Sequence, residues 1–261
     1  MKVTYVEFPE GLTTKGSDWH KISKKIVNEQ SDVLVTNETP FGTWLAASSH
    51  YDEHAAQNSI SAHNDGMKAL KELNVPLILS SKPIPFGDRL ANEAFALECG
   101  HYQPVHHKHY FPDEPGFYET AWFKTKTTGF EVYKSKTITI GVLLCTEVMF
   151  TEWARSYRRQ GAQLIVIPRA SEQNVENWKI AASMVAIVSG CYVVSSNRVG
   201  KGSDKLIFGG NGFAFAPDGS LISQTSPDNP IVSFELDLER VAQQQQCYPC
   251  YVKEIDDLFV Q

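Results

Sequence analysis

The amino-acid sequence predicts an α/β fold with helices covering sheets, and three observations carry that expectation. Short runs rich in β-branched residues alternate with segments of helical period over most of the chain. Two stretches break the alternation with strands that follow one another directly. Gly100 and Pro217-Asp218-Gly219 stand where those neighbouring strands must turn. Alternation puts helices over sheet faces, and the added hairpins make the sheets mixed. Two mixed sheets facing each other with helices outside, a four-layer α-β-β-α sandwich, fit the strand count, while periodicity alone does not separate that sandwich from a single large sheet.

Taken in order, Lys2 to Glu7 reads as a strand close to a sheet edge, Ser17 to Gln30 as an amphipathic helix with Ser17 and Asp18 as capping candidates, and SDVLVTNE as a buried strand. A second helix from about Ala55 to Leu73 leads into PLILSS, short and nearly all apolar, as strands inside a layered sheet are. Beyond Leu90, NEAFALECG and HYQPVHHK read as a hairpin turned at Gly100. β-α-β-α-β order then resumes with TITIGVLLC, a helix from about Phe150 to Gln160, QLIVIP, a helix from Asn177 to Ser189, and CYVVSSN. Three short strands follow, around GFAFA, SLISQ and IVSFELD, the first two joined by the tight turn at Pro217-Asp218-Gly219. No repeat, linker or low-complexity run longer than Gln243 to Gln246 divides the sequence, so residues 1–261 read as one domain.

With 42% hydrophobic residues, 11% aromatics and 21% charged residues, the chain can bury a large core. Its formal charge of -6, with acidic and basic residues interspersed, lacks the basic stripe that binding to nucleic acid requires. Neither a signal peptide nor a membrane span is expected, because the first apolar run is broken by Glu7 and Pro9 and no later one approaches about 18 residues. Five cysteines, Cys99, Cys145, Cys191, Cys247 and Cys250, are an odd and sparse set that reads as free thiols in the cytoplasm rather than a disulfide framework.

Three places carry chemistry. In TITIGVLLCTEVMFTEWAR a buried strand runs into Cys145 and a helix is expected to begin within a few residues. A thiol there lies near the positive end of a helix dipole, which favours the thiolate, and the backbone N-H groups of the turn can hold an oxyanion. Taken alone, a cysteine that ends an apolar strand is more often a core residue. Glu38, in SDVLVTNETPFGTW, follows an apolar strand directly, where partial desolvation tunes a carboxylate towards proton transfer; a loop or capping role is the plain alternative. Lys108, in VHHKHYFPDEPGFYETAWF, offers a compact cation suited to an oxyanion, though a lysine without company is a solvated surface charge.

A glutamate after the second strand, a lysine after a hairpin and a cysteine between strand and helix, in that order, resemble the nitrilase superfamily of carbon-nitrogen hydrolases. The resemblance runs over nearly the whole chain and includes Glu147, FTEWAR with Glu152 and Arg155, GAQLIVIPRAS, the Trp178 helix, VVSSNRVG and FGGNGFAFAPDGS. It implies the four-layer sandwich, Cys145 as nucleophile, Glu38 as general base and later acid, Lys108 as oxyanion stabiliser, and the Thr146 amide as a second oxyanion donor. Many members have a further glutamate that positions substrate and lysine; ETAWF followed by TTGFEVY points to Glu119, with Glu114 as the fallback. Pocket shape is expected from loops 39–54 and 112–123, with Trp44, Tyr118 and Trp122 as an aromatic wall and Arg169 as a further substrate-binding candidate.

This sequence departs from the family pattern twice. Asn211 in FGGNGF stands where relatives usually have serine, which bears on substrate preference. Thr-Glu follows the nucleophile where nitrile-hydrating enzymes commonly show Trp-Glu, which tilts the reading to an amidase acting on a small amide, with N-carbamoyl amines or nitriles as alternatives. The chemistry the resemblance implies needs no metal or other cofactor, and a homodimer is expected by analogy with relatives. In HHKH, from His106 to His109, strand alternation would put His106 and Lys108 on one face and His107 and His109 on the other, which leaves too few histidines together for a metal site. GGNG lies between strands and reads as a hairpin turn rather than a phosphate cradle. The competing class is a redox or structural protein on the same scaffold that uses the Cys247 and Cys250 pair.

Overall fold

Each β-α-β passage delivers its strands to one of two six-stranded sheets in the computed structural model of the chain, which describes residues 1–127, 129–202 and 206–253. The first sheet contains β1 (Lys2–Val6), β2 (Val33–Val35), β3 (Leu77–Phe86), β4 (Arg89–Glu98), β5 (His101–His107) and β16 (Ile231–Glu235), in the order β16-β1-β2-β3-β4-β5. Within it β1, β2 and β3 are mutually parallel and the other pairings are antiparallel. The second contains β8 (Tyr133–Lys134), β9 (Thr139–Val142), β10 (Leu164–Arg169), β11 (Tyr192–Asn197), β14 (Phe213–Phe215) and β15 (Leu221–Gln224), in the order β15-β14-β11-β10-β9-β8 with β9, β10 and β11 parallel. Two short ribbons complete the strands: β6 (Asp113–Glu114) with β7 (Phe117–Tyr118), and β12 (Val199–Lys201) with β13 (Ile207–Gly209). The helices are α1 (Ser17–Glu29), α2 (Glu53–Lys71), α3 (Glu119–Trp122), α4 (Glu152–Arg159), α5 (Glu176–Ser189) and α6 (Leu238–Gln244).

Strand alternation sorts the apolar residues into layers. Val3, Tyr5, Val33, Val35, Leu77 and Leu79 of the first sheet share one core with Ile140, Val142, Leu164, Val166, Tyr192 and Val194 of the second, so these faces are packed together. The opposite faces meet helices. Val6, Leu34, Ile78 and Phe95 pack with Trp19 and Ile26 of α1 and Leu70 of α2, while Ile165, Ile167 and Val193 pack with Tyr157 of α4 and Val185 of α5. These clusters define the four layers expected from the sequence.

Several details differ from the sequence reading. α1 is capped by Gly16 without a side-chain hydrogen bond, not by Ser17 or Asp18, both of which lie inside the helix. β3 does not stop at PLILSS but continues to Phe86 through Pro83 and Pro85, then turns at Gly87 into β4. Of β3, only Leu77 to Leu79 pair with β2, so the prolines face no strand of this sheet on that side and cost no ladder hydrogen bond. FGGNGF is not a hairpin turn: β13 pairs with β12 and β14 with β11 and β15, so Gly210 (φ 58) and Asn211 (φ 54) link two different sheets. A residue that must take this left-handed conformation favours glycine or asparagine, which gives Asn211 a backbone reason for its place.

No helix among the described residues is long and apolar enough to cross a membrane. Packing around β9 is tight: a Cβ on Gly141 would lie 2.5 Å from the Tyr157 ring, whose hydroxyl donates to the Val142 carbonyl at 2.6 Å. Gly141→Ala is therefore expected to cost about 1–3 kcal/mol through overpacking, read as a lower denaturant midpoint with an unchanged transition slope.

Candidate active site

The topology brings one end of both sheets together. β5 is antiparallel to β4, itself antiparallel to β3, so β5 points the same way as β2 and the segments leaving both emerge at one edge. Glu38 leaves from β2 and Lys108 from β5, while β4 starts there and carries Asn92, whose carbonyl accepts the Lys108 amide N-H at 2.9 Å. From the second sheet come Cys145, after β9, and Arg169, the last residue of β10. The Glu38 amide donates to the Arg169 carbonyl at 3.2 Å, a backbone link between the two sheets at the site.

Lys108 is the centre of the cluster. Its Nζ donates to Glu38 Oε1 at 2.8 Å and to both Glu119 oxygens at 2.8 and 2.7 Å. Lys108 and Glu38 are 0% exposed and Glu119 is 1% exposed. Burial works against the lysine charge, but Glu119 and then Glu38 outweigh it and keep the ammonium protonated. Burial pushes the Glu119 carboxyl up to about 8, with the nearby Glu38 carboxylate adding to the rise and Lys108 opposing it. One ammonium is thus shared by two carboxyl groups. Glu114, by contrast, is exposed in β6 and makes no bond to Lys108.

Cys145 is 4% exposed and occupies a left-handed backbone conformation, φ 50, at the start of a 3-10 turn spanning Cys145–Met149. Such a conformation in a cysteine is strained and persists only where the surroundings impose it. Here Glu147 does so: its Oε2 accepts the Leu144 amide at 2.7 Å and His106 Nε2 at 2.7 Å, and its Oε1 accepts the His109 amide at 2.7 Å. The turn carrying the thiol is thereby tied to both sides of Lys108. Although burial opposes the Glu147 charge, His106 and the other donors hold its carboxyl at about 2.

The expected thiolate is corrected by the structure. Burial, reinforced by Glu38 and Glu119 and only partly offset by Lys108, pushes the Cys145 thiol well above its ordinary range. No helix dipole compensates, because α4 begins at Glu152 and the thiol opens a 3-10 turn instead. The Sγ lies 3.9 Å from the Ala170 carbonyl, its hydrogen-bond acceptor.

Strand alternation also fails across HHKH. β5 ends at His107, and the chain then turns so that the His106 and His109 rings stack, with centroids 5.3 Å apart, both beside Glu147. His107 points elsewhere, to Glu93 Oε2 at 3.0 Å and Thr127 Oγ1 at 2.8 Å. Donor atoms of His106, His109 and Glu147 lie within 4.8 Å of one another and so could hold a metal ion. Both Glu147 oxygens already accept hydrogen bonds that fix the turn, and a cation would have to displace them.

Beside Cys145 lies a cavity of about 140 Å³ whose wall includes Glu119, Thr146, Ala170, Ser171, Phe117, Trp178, Glu114 and Glu172. Thr146, whose amide the sequence analysis offers as an oxyanion donor, is on this wall. Trp44 and Trp122 are not on this wall: they face a separate opening, their indole N-H groups donating to the carbonyls of Gly116 at 3.0 Å and Ser48 at 2.7 Å. Tyr118 caps α3 and is likewise absent from the wall. The aromatic surfaces at the thiol are Phe117 and Trp178 instead, because the loop turns its tryptophans into a neighbouring apolar cluster.

Arg169 is fully buried behind the wall. It donates to Ser195 Oγ at 2.7 Å, Ser171 Oγ at 2.8 Å and the Asn211 carbonyl at 3.1 Å, and its guanidinium lies 5.3 Å from the Trp178 ring centroid. It therefore supports Ser171 and Trp178, and Asn211 bears on the cavity through that arginine. Asn92 was not singled out by the sequence: its Nδ2 donates to Glu38 Oε1 at 2.8 Å, and an asparagine within a strand carries no local mark of such a bond. Cys247 is exposed, and Cys250 is buried against the end of α5 with Ile187 as its hydrogen-bond partner at 3.4 Å, outside the cavity wall.

A buried thiol beside a carboxyl, an ammonium and a second carboxyl is equipment for covalent hydrolysis through sulfur. The Carbon-nitrogen hydrolase family profile matches residues 17–246, and the chain belongs to that family. It is 29% identical over 217 residues to N-carbamoylputrescine amidase of Oryza sativa subsp. japonica, covering 74% of this chain and 69% of the relative. The match to N-carbamoylputrescine amidase of Arabidopsis thaliana spans only 57% of that protein. With omega-amidase NIT2 of Xenopus tropicalis it shares 22% over 249 residues, covering 92% of this chain and 88% of the relative. Among solved structures, a carbon-nitrogen hydrolase from Helicobacter pylori G27 superposes with a TM-score of 0.87 at 20% identity, covering 99% of this chain and 97% of that one. An amidase from Nesterenkonia sp. gives 0.77 at 17% identity, covering 93% and 92%. At these identities the two structures speak to the fold.

Because the Glu147 carboxyl is held down to about 2 in the folded chain, against an ordinary value of 4.5, it stabilises the fold above the ordinary value, and that contribution is lost as pH falls from 4.5 towards 2. Glu147→Gln is expected to flatten this part of the stability-pH curve, measured by denaturant unfolding at a series of acid pH values; an unaltered slope would contradict the assignment.

Proposed function

We propose that the protein hydrolyses the carbon-nitrogen bond of a small amide through a Cys145 thioester, with Glu38, Lys108 and Cys145 as the triad. The observation that carries this reading is the Lys108 ammonium held between Glu38 and Glu119 beside a thiol that burial keeps protonated. A thiol so placed needs a base to become a nucleophile, and the Glu38 Oε2 atom, buried and without a hydrogen-bond partner among the described residues, is suited to take its proton. The sulfur attacks the carbonyl carbon, while Lys108 and the Thr146 amide hold the oxygen that gains charge. Glu38 returns the proton to the leaving nitrogen, ammonia or an amine departs, and water activated by the same glutamate cleaves the thioester. Glu119 positions Lys108, and the cavity of about 140 Å³ favours a small acyl group.

An N-carbamoyl amine is a second reading. Glu114 and Glu172 stand on the cavity wall while no described lysine or arginine does, which favours a substrate with a positively charged tail, and relatives named N-carbamoylputrescine amidase support it. The reading takes residues 1–261 as one hydrolase domain at work in the cytoplasm. A homodimer through α5 is consistent with the exposure of Ile180 (66%) and Met184 (45%) on that helix.

Ammonia release measured across simple amides, N-carbamoyl amines and nitriles is expected to select one of the first two classes. Lys108→Ala should lower kcat by about 10²–10³-fold, the usual loss for one oxyanion donor, while still unfolding cooperatively. Cys145→Ser should be inactive on every amide tried. Undiminished turnover in either variant overturns the mechanism.

A further inference from the structure

Glu38 is held from a side that the triad does not explain. Its Oε1 accepts both Lys108 Nζ and Asn92 Nδ2, each at 2.8 Å, whereas Oε2 has no partner among the described residues. Asn92 is 0% exposed on β4, and its Oδ1 is also buried without a hydrogen-bond partner among the described residues. Turning the amide over would set Oδ1 against a carboxylate oxygen and lose the N-H bond, so the charge it faces fixes the orientation of the Asn92 amide. The same residue's carbonyl accepts the Lys108 main-chain N-H at 2.9 Å. One residue therefore sets the backbone of the lysine and the carboxylate of the glutamate.

We propose that Asn92 is a positioning residue of the reaction: with Lys108 it occupies Oε1 of Glu38 and so reserves Oε2 for proton exchange with Cys145. The step is a simple transfer in which the S-H bond of Cys145 breaks and an O-H bond forms on Oε2, the electron pair staying on sulfur. The inference rests on Glu38 being the base. Four charged or titratable groups face Glu38 besides: Lys108 from the segment after β5, Glu119 from α3, Cys145 from its turn, and Arg198 after β11, whose Nη2 lies 3.5 Å from the Glu38 carbonyl. All four persist when Asn92 is replaced, so a change in proton transfer on replacement reports the lost amide.

The test follows iodoacetamide modification of Cys145 in the full chain as a function of pH, read by mass spectrometry of the Cys145 peptide because Cys99 and Cys247 are also exposed to reagent. A carboxylate that loses a donor to its charged form keeps its proton to higher pH. Asn92→Leu should accordingly move the acid limb of the rate profile up by about one to two pH units, the equivalent of a hydrogen bond to a charged group. Asn92→Asp should react like the wild type where the introduced carboxyl is protonated and donates, and more slowly once that carboxyl ionises. A fall in unfolding temperature with an unmoved limb in both variants assigns Asn92 a structural role alone and overturns the inference. Glu38→Gln separates the two levels. If it leaves the limb unchanged, Glu38 is not the base and both readings fall; if it abolishes the limb while the Asn92 variants do not move it, only the Asn92 inference falls.

Discussion

The site rests on a constraint of charge burial. An ammonium removed from water is tolerable only when opposite charge and hydrogen bonds surround it, and Lys108 meets that condition by binding Glu38 and Glu119 together. The three residues leave from β5, β2 and α3, so satisfying one buried cation gathers three chain segments into one place. The cost of leaving any of them unpaired makes the arrangement specific as well as stable. Burial raises the Glu119 carboxyl while Lys108 opposes the rise, so the two groups are electrostatically tied.

A second set of bonds brings the Cys145 thiol to that cluster. Glu147 grips the Leu144 amide, His106 and the His109 amide, so the Cys145 turn and the Lys108 segment are fixed by one side chain. The Glu38 amide, bonded to the Arg169 carbonyl, joins the two sheets at the same edge. Sheet packing supplies the coarse approach of the two halves, and these few polar contacts set the final geometry, as preorganised sites require.

The sequence carried much of this and missed the rest for identifiable reasons. The β-α-β order, the layers and the placement of Glu38, Lys108 and Cys145 at strand ends were legible because apolar period and strand termini are local properties. The choice of Glu119 over Glu114 depended on family likeness, and of the two it is Glu119 that bonds Lys108. Trp44 and Trp122 show the converse: an aromatic loop announces itself, but which way its rings point depends on partners such as the Gly116 and Ser48 carbonyls, distant in sequence. The HHKH run misled because alternation holds only while a strand lasts, and β5 stops at His107. Asn92 was silent because its meaning comes wholly from Glu38, 54 positions away.

The protonated state of the Cys145 thiol has a consequence for the life of the protein. Thiolates, not thiols, attack peroxides and disulfides, so a sulfur that burial pushes towards its protonated form is a poor target for adventitious oxidation. Enclosure adds to this, since Cys145 is buried while Cys99 and Cys247 face solvent and meet such reagents first. The burial that raises the Cys145 thiol also shields it from such reagents.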